Sequence, residues 1–277
     1  MNCVLKDVYV ITLDPIFNEN AICFANKMGF KIINDFQPKP KELYVVFGAH
    51  VKSPELLQIQ KNLNYSFGYI ILNSESQKSN VISNKYYLEL MRKNVVFNYS
   101  HGVAEYLKEL DIKTYSYFFF EFMKEEPDDR EYDYLFIGSH TKFREEQIAC
   151  LKEAFPYKKF YIDFNQSHRS PKSMKDILKK STWVLNIPYY QDDQNLESHR
   201  INNALSVGCQ VVSFNSGDKD TDDFYNDYIY FSDNLVEFFK SHEIKEKKDY
   251  QHLINGLSGK WLVHNGWIIK KIKEQNQ

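Results

Sequence analysis

WVLNIPYYQDDQNLESHRINNALSVGCQVVS, residues 183–213, is the stretch whose reading decides the fold. Its first run, Trp183-Val184-Leu185-Asn186-Ile187, is apolar and short, which suits a buried strand. Pro188 ends that strand because proline has no N–H to give to a ladder. A polar loop covers 191–195. Leu196, Ile201, Ala204, Leu205 and Val207 then recur at helical spacing, with Glu197, Arg200 and Asn203 on another face. Gly208 follows the last turn, where a positive φ closes a helix. Val211-Val212 opens the next strand. The unit is strand, polar loop, helix, glycine, strand. In an open parallel sheet such loops lie at the carboxyl ends of the strands, where ligands bind. A helix N-terminus there favours anions. Asn195, Glu197, Arg200 and Asn203 crowd that helix start. The competing reading is a solvated helix face of mixed charge, since one such unit is common.

Outward from this stretch, the chain has 277 residues, which fits two domains of ordinary size. Hydrophobic residues make up 43%, enough for a packed core and against global disorder. The 20 Tyr and 21 Phe read first as core and interface filling. Formal net charge is -2, with no basic stripe, so the expectation is no nucleic-acid partner. Cys3, Cys23, Cys150 and Cys209 are scattered and lack a CxxC pair, which reads as free thiols in a reducing compartment. Neither a signal peptide nor a membrane-spanning run is visible, so the expectation is a soluble, cytoplasmic protein without a transmembrane segment.

Strands and helices alternate along the whole chain, which predicts parallel sheets covered on both faces. In the first half, strands are predicted at 8–13, 30–33, 43–47, 69–72, 95–97 and 114–120. Helices are predicted at 18–28, 55–62, 84–92 and 100–110, with Ser53 as a cap ahead of Pro54. The charged stretch 124–130 holds a proline and no apolar residue, and reads as a linker. Beyond it, strands are predicted at 134–137, 159–162, 183–187 and 228–231. Helices are predicted at 142–154, 170–180, 220–225 and 235–240, the last capped by Ser232 or Asp233. A polar helical segment with Trp261 and Trp267 as anchors completes the chain.

Three pieces carry a resemblance. Leu135-Phe136-Ile137-Gly138-Ser139 is a strand and turn followed by a helix bearing Lys142 and Arg144. The strand Trp183 to Ile187 precedes a polar loop. Glu197 to Val212 then runs through Arg200, Ala204-Leu205 and Gly208 into an apolar strand. Together they resemble the nucleotide-binding half of group 1-like, nucleotide-sugar-dependent glycosyltransferases with the GT-B fold. A weaker match, through Glu75, 95–100 and Glu105, resembles the acceptor half. The pieces span most of the chain, though none is long. The family's two glutamates with seven residues between them are here Asn195 and Asn203, with Glu197 nearby.

The resemblance implies an α/β fold with two Rossmann-like domains in GT-B architecture and a C-terminal helix crossing back to the first. The expected division is 1–123 for acceptor, 124–130 as linker, 131–243 for the nucleotide sugar and 244–277 as the helical segment. It implies transfer of a sugar from a nucleoside-diphosphate sugar to a glycan or other hydroxyl acceptor. No cofactor and no metal are expected beyond the donor substrate.

The chemistry then assigns candidates. The diphosphate needs cations, because charge grows on it as it leaves. Arg200 is the first choice, with Lys142 and Arg144 beside it and Gly138-Ser139 allowing close backbone approach. Exposed helix charges are usually solvated, which is the plainer reading of Lys142 and Arg144. Ribose and sugar hydroxyls want an acceptor, and Glu197, Asn203 and Asn195 qualify. Asn186 and Tyr189 sit at a strand exit and face sugar or base, or pack. An inverting reaction needs a base: Glu75 first, then His50, with Asp14 also at a strand exit and His101, at a predicted helix start, behind them. His168-Arg169 is a further loop candidate, and Asp192-Asp193 reads as loop solvation rather than a metal site. Two rival readings stay open: a sugar-nucleotide epimerase of the same fold, and a non-catalytic member that binds a nucleotide or a partner.

Overall fold

The computed structural model describes residues 7–116, 129–165, 171–191 and 195–242, together with 266, 267, 270, 271 and 274. The expectations for 117–120, the linker stretch 124–128, His168-Arg169, Asp192-Asp193 and Trp261 lie outside the described residues. The chain divides into two compact units, Met1–Glu121 with Lys260–Gln277, and Phe122–Gly259.

In the first unit the order is β1 (Val8–Thr12), α1 (Asn18–Met28), β2 (Lys31–Ile32), β3 (Leu43–Phe47), α2 (Ser53–Asn62), β4 (Gly68–Asn73), α3 (Lys85–Arg92), β5 (Val95–Asn98), α4 (His101–Glu109) and β6 (Thr114–Ser116). The strands form one parallel sheet in the order β2-β1-β3-β4-β5-β6. Side chains on a pleated strand alternate between faces. Tyr44, Val46, Tyr69, Ile71 and Val96 therefore pack on one side, under Leu56, Leu90 and Leu107. Val45, Phe47, Ile70, Leu72 and Phe97 pack on the other, under Ala21 and Phe24. Both faces are covered, which is why these strands read as near-continuous apolar runs. Trp267, from the terminal segment, meets Tyr115 edge-on at 5.4 Å and Phe97 at 6.2 Å, so it belongs to this unit.

In the second unit the order is β7 (Tyr132–Ile137), α5 (Lys142–Ala154), β8 (Phe160–Asp163), α6 (Pro171–Lys179), β9 (Ser181–Asn186), α7 (Ser198–Ser206), β10 (Gln210–Ser213), α8 (Lys219–Tyr225), β11 (Tyr230–Phe231) and α9 (Leu235–Ser241). The sheet is parallel, in the order β11-β10-β9-β7-β8. Tyr134, Phe136, Trp183, Leu185 and Val212 share a core with Ile148, Leu151, Leu235, Phe238 and Phe239. From β7 the chain steps to β8 on one side, then crosses back to β9 on the other. The reversal leaves a crevice at the carboxyl ends of β7 and β9, the usual ligand position in such sheets.

The helix ends show why these segments start and stop where they do. Asn84, Ser100 and Thr141 each accept a hydrogen bond from a first-turn amide of α3, α4 and α5. Gly208 after α7 takes φ +72°, as its position predicts. Two predicted caps need correction. Ser53 is itself helical, because a 3-10 turn over Ala49–Lys52 leads straight into α2, and its buried hydroxyl finds no partner among the described residues. Asn234, not Ser232 or Asp233, caps α9, by accepting from the Glu237 amide at 3.1 Å.

Candidate functional site

The crevice of the second sheet is built from three charged side chains. Arg144 lies in the first turn of α5, whose amide is capped by Thr141 at 3.2 Å. Its side chain turns inward and is only 2% exposed. Its Nε donates to the Ile187 carbonyl at 2.9 Å and its Nη1 to the Ser139 carbonyl at 3.0 Å. Arg200 lies in the first turn of α7 and is 14% exposed. Its Nε donates to the Ile137 carbonyl at 3.1 Å and its Nη1 to Asn186 Oδ1 at 2.8 Å. Both Nη2 atoms pair with Glu197, one on each carboxylate oxygen. Phe136 lies beneath both guanidiniums, at 5.2 Å from Arg144 and 5.3 Å from Arg200.

The electrostatics of this arrangement are unbalanced. Among the described side chains of the cluster, two guanidiniums face one carboxylate. Each arginine also stands at the positive end of a helix macrodipole, where a cation is disfavoured. Burial in a low dielectric sharpens the imbalance. An anion in the crevice would relieve it.

Gly138 makes room for the cluster. A Cβ there would stand 2.9 Å from Arg200 Nη2 and 3.2 Å from Arg144 Nη1. Its own N–H is used by the Asp163 carbonyl at 3.0 Å. The contribution of Gly138 is space for the guanidiniums, not a free amide. Asn186, 3% exposed, is held on its other side by Ser213 Oγ at 2.9 Å. Tyr189, 42% exposed, overlies the Arg144 guanidinium at 5.4 Å. Asn195 is buried, and its Oδ1 finds no partner among the described residues.

Other sequence candidates stand elsewhere. Lys142 is almost fully exposed and pairs with Glu146 at 3.6 Å along α5. Arg144, two residues on, is the opposite of the solvated helix charge that its position suggested. Asn203 turns toward α6, its amide 3.7 Å from Met174 Sδ. Glu197, read as a partner for ribose, has both carboxylate oxygens on arginines.

The first sheet gathers a second group at its carboxyl edge. His50 Nδ1 and Glu75 Oε1 come to 3.8 Å from adjacent strands β3 and β4. Ser79 Oγ donates to the other Glu75 oxygen at 3.0 Å. Asn73 holds the Glu75 backbone from both sides, with its Nδ2 on the carbonyl at 3.1 Å and its Oδ1 on the amide at 3.3 Å. The Tyr87 hydroxyl fixes Asn73 at 2.9 Å, and the Tyr87 ring meets His50 edge-on. Sequence reasoning missed Asn73, Ser79 and Tyr87. Asn73 sits at the end of a strand, which is the one signal pointing to it. Asp14 instead caps a turn, accepting from the Ile16 amide, and His101 contacts Ser116 and Glu105.

Among the described residues, no group of three or more His, Cys, Asp or Glu gathers as a metal site. No helix among them is long and apolar enough to cross a membrane.

No family model matches the sequence, and no curated protein matches it. Solved structures do. One is an alpha-glucosyltransferase in complex with UDP-glucose and DNA containing an abasic site: 10% identity, 98% of this chain and 93% of that one, TM-score 0.50. Another is T4 phage BGT in complex with its UDP-glucose substrate: 11% identity, 98% of both chains, TM-score 0.50. The chain has the GT-B fold. The parallel sheets of six and five strands agree with it. One expectation is overturned at this point, the exclusion of a nucleic-acid partner. A glucosyltransferase of the same fold is seen bound to DNA. A chain-averaged charge of -2 does not describe the field at one sheet edge, where a local excess of cations suffices.

Proposed function

We propose that the protein is a glycosyltransferase that takes its sugar from a nucleoside-diphosphate sugar. The observation that carries this reading is the pair of first-turn arginines sharing one carboxylate at the reversal point of the second sheet. A diphosphate fits that field, and it is the part of the donor on which negative charge develops. An acceptor hydroxyl attacks the anomeric carbon. The new C–O bond forms as the bond to the phosphate oxygen breaks, and its electron pair leaves on the diphosphate toward Arg200. The hydroxyl proton goes to a general base, and the His50–Glu75 pair is the candidate that the first sheet offers for it. We assign His50 as the base and Glu75 as the group that orients it, because Glu75 is itself held by Asn73 and Ser79.

UDP-glucose and DNA are named for the structures this chain resembles, so they are the first donor and acceptor to try. The test is a thermal-shift series with UDP, GDP and TDP and their sugars, followed by transfer to duplex DNA and to oligosaccharides. A rise in melting temperature with one nucleoside diphosphate, and sugar transfer lost in His50→Gln, are expected. No shift with any nucleotide would end this reading. Turnover of the sugar nucleotide in the absence of acceptor would favour an epimerase instead.

A further inference from the structure

Glu197 occupies an unusual place. It is the residue ahead of α7, where a carboxylate ordinarily accepts from a first-turn amide, yet its side chain makes no such cap. It turns instead into the field of two guanidiniums and the N-termini of α5 and α7. It is also the most open member of the cluster, 27% exposed against 2% for Arg144 and 14% for Arg200. The arginines are fastened by carbonyls of Ile187, Ser139 and Ile137 and by Asn186. Among the described residues, the Glu197 carboxylate is held by the two arginines alone. Of the three, it is the one that can leave.

We propose that Glu197 is a built-in stand-in for the donor's diphosphate, seated between Arg144 and Arg200 until the ligand displaces it. The inference rests on the glycosyltransferase reading and deepens it. A carboxylate carries one charge, whereas the donor's diphosphate, esterified at both ends, carries two, one on each phosphate, and offers more acceptor oxygens in the fork geometry a guanidinium binds. A diphosphate therefore outcompetes Glu197 for the same two guanidiniums, and a weaker anion does not. Glu197 keeps the buried cations paired while the site waits, because an unpaired buried guanidinium would cost far more than this exchange. It also sets the threshold that an anion must pass. The cost is that every binding event must first undo two ion pairs.

The test is calorimetric titration of UDP and of inorganic pyrophosphate into the wild type, Glu197→Gln and Glu197→Asp. Gln keeps shape and one acceptor oxygen but removes the competing charge. Asp keeps the charge but is too short to bridge both arginines. The expected result is tighter pyrophosphate and UDP binding in Glu197→Gln, on the order of tenfold for the loss of one charge-assisted contact, with Glu197→Asp between it and the wild type. Melting curves of each variant, with and without pyrophosphate, guard against a folding defect: an unstable variant rescued by pyrophosphate more strongly than the wild type also supports the proposal. Wild-type binding with no gain in either variant, or a loss, overturns it while leaving the donor assignment standing. Absence of UDP binding to the wild type overturns the donor assignment itself.

Discussion

Arg144 and Arg200 show at the scale of one residue how position turns a common side chain into a site. A cation in a helix's first turn opposes the macrodipole by a few tenths to about 1 kcal/mol. Each is also largely removed from water. The fold retains both, which marks the place where stability gives way to binding. Their neighbour His199 carries a second consequence. Although part of its surface stays open, its ring is desolvated, and burial lowers its pKa to about 4. In the unfolded chain the value is about 6.5. As pH falls below about 6.5, the unfolded chain takes up a proton that the folded chain refuses. Stability is then lost progressively until the folded value near 4, by at most about 3 kcal/mol. Urea midpoints at pH 7.5 and 4.5 measure this. His199→Gln should flatten the difference, and an equal drop in wild type and variant would contradict the assignment. Arg200 was legible in the sequence, because its spacing placed it at a helix start after a strand. The burial of Arg144 was not, since α5 carries little amphipathic signal and nothing local says which way its first turn faces.

At the scale of elements, Arg130 is the counterpart of the site. Its guanidinium collects the carbonyls of Leu178 and Lys179 at the end of α6, of Ser181 at the start of β9, and of Val207 and Gly208 just past α7. The two helix ends are negative ends of macrodipoles, where a cation is favoured. Arg130 is therefore satisfied by the fold itself and reads as structural, whereas Arg144 and Arg200 stand at the opposite, positive ends of helices. It also contacts Cys209, whose thiol burial pushes up to about 11. Arg130→Met should lower stability by about 2–3 kcal/mol, since it strands several carbonyls at once. Denaturant unfolding checks this, and an unchanged midpoint would show that water replaces the guanidinium without cost. From sequence, Arg130 reads as the last residue of a charged linker. Its partners lie about 50 and 80 positions away, and no local pattern encodes a contact of that range. Elements governed by local rules fared better. Helices α1 and α5 and strand β3 fall on their predicted bounds, because periodicity, a glycine or a polar cap marks each end.

At the scale of the whole molecule, alternating strands and helices were enough to indicate parallel sheets. Strand order was not readable, because it is set by which apolar faces meet. The two orders, β2-β1-β3-β4-β5-β6 and β11-β10-β9-β7-β8, each reverse beside the first strand of their unit. In the first unit the His50–Glu75 pair lies at the carboxyl ends of β3 and β4, adjacent to that reversal. In the second, the arginine cluster lies on it. The most direct measurement is a crystal structure of the protein with bound UDP. The diphosphate is expected at the carboxyl ends of β7 and β9, within hydrogen-bonding distance of the Arg200 guanidinium. UDP seated elsewhere on the chain, with Arg200 still paired to Glu197 and no anion beside it, would contradict the account.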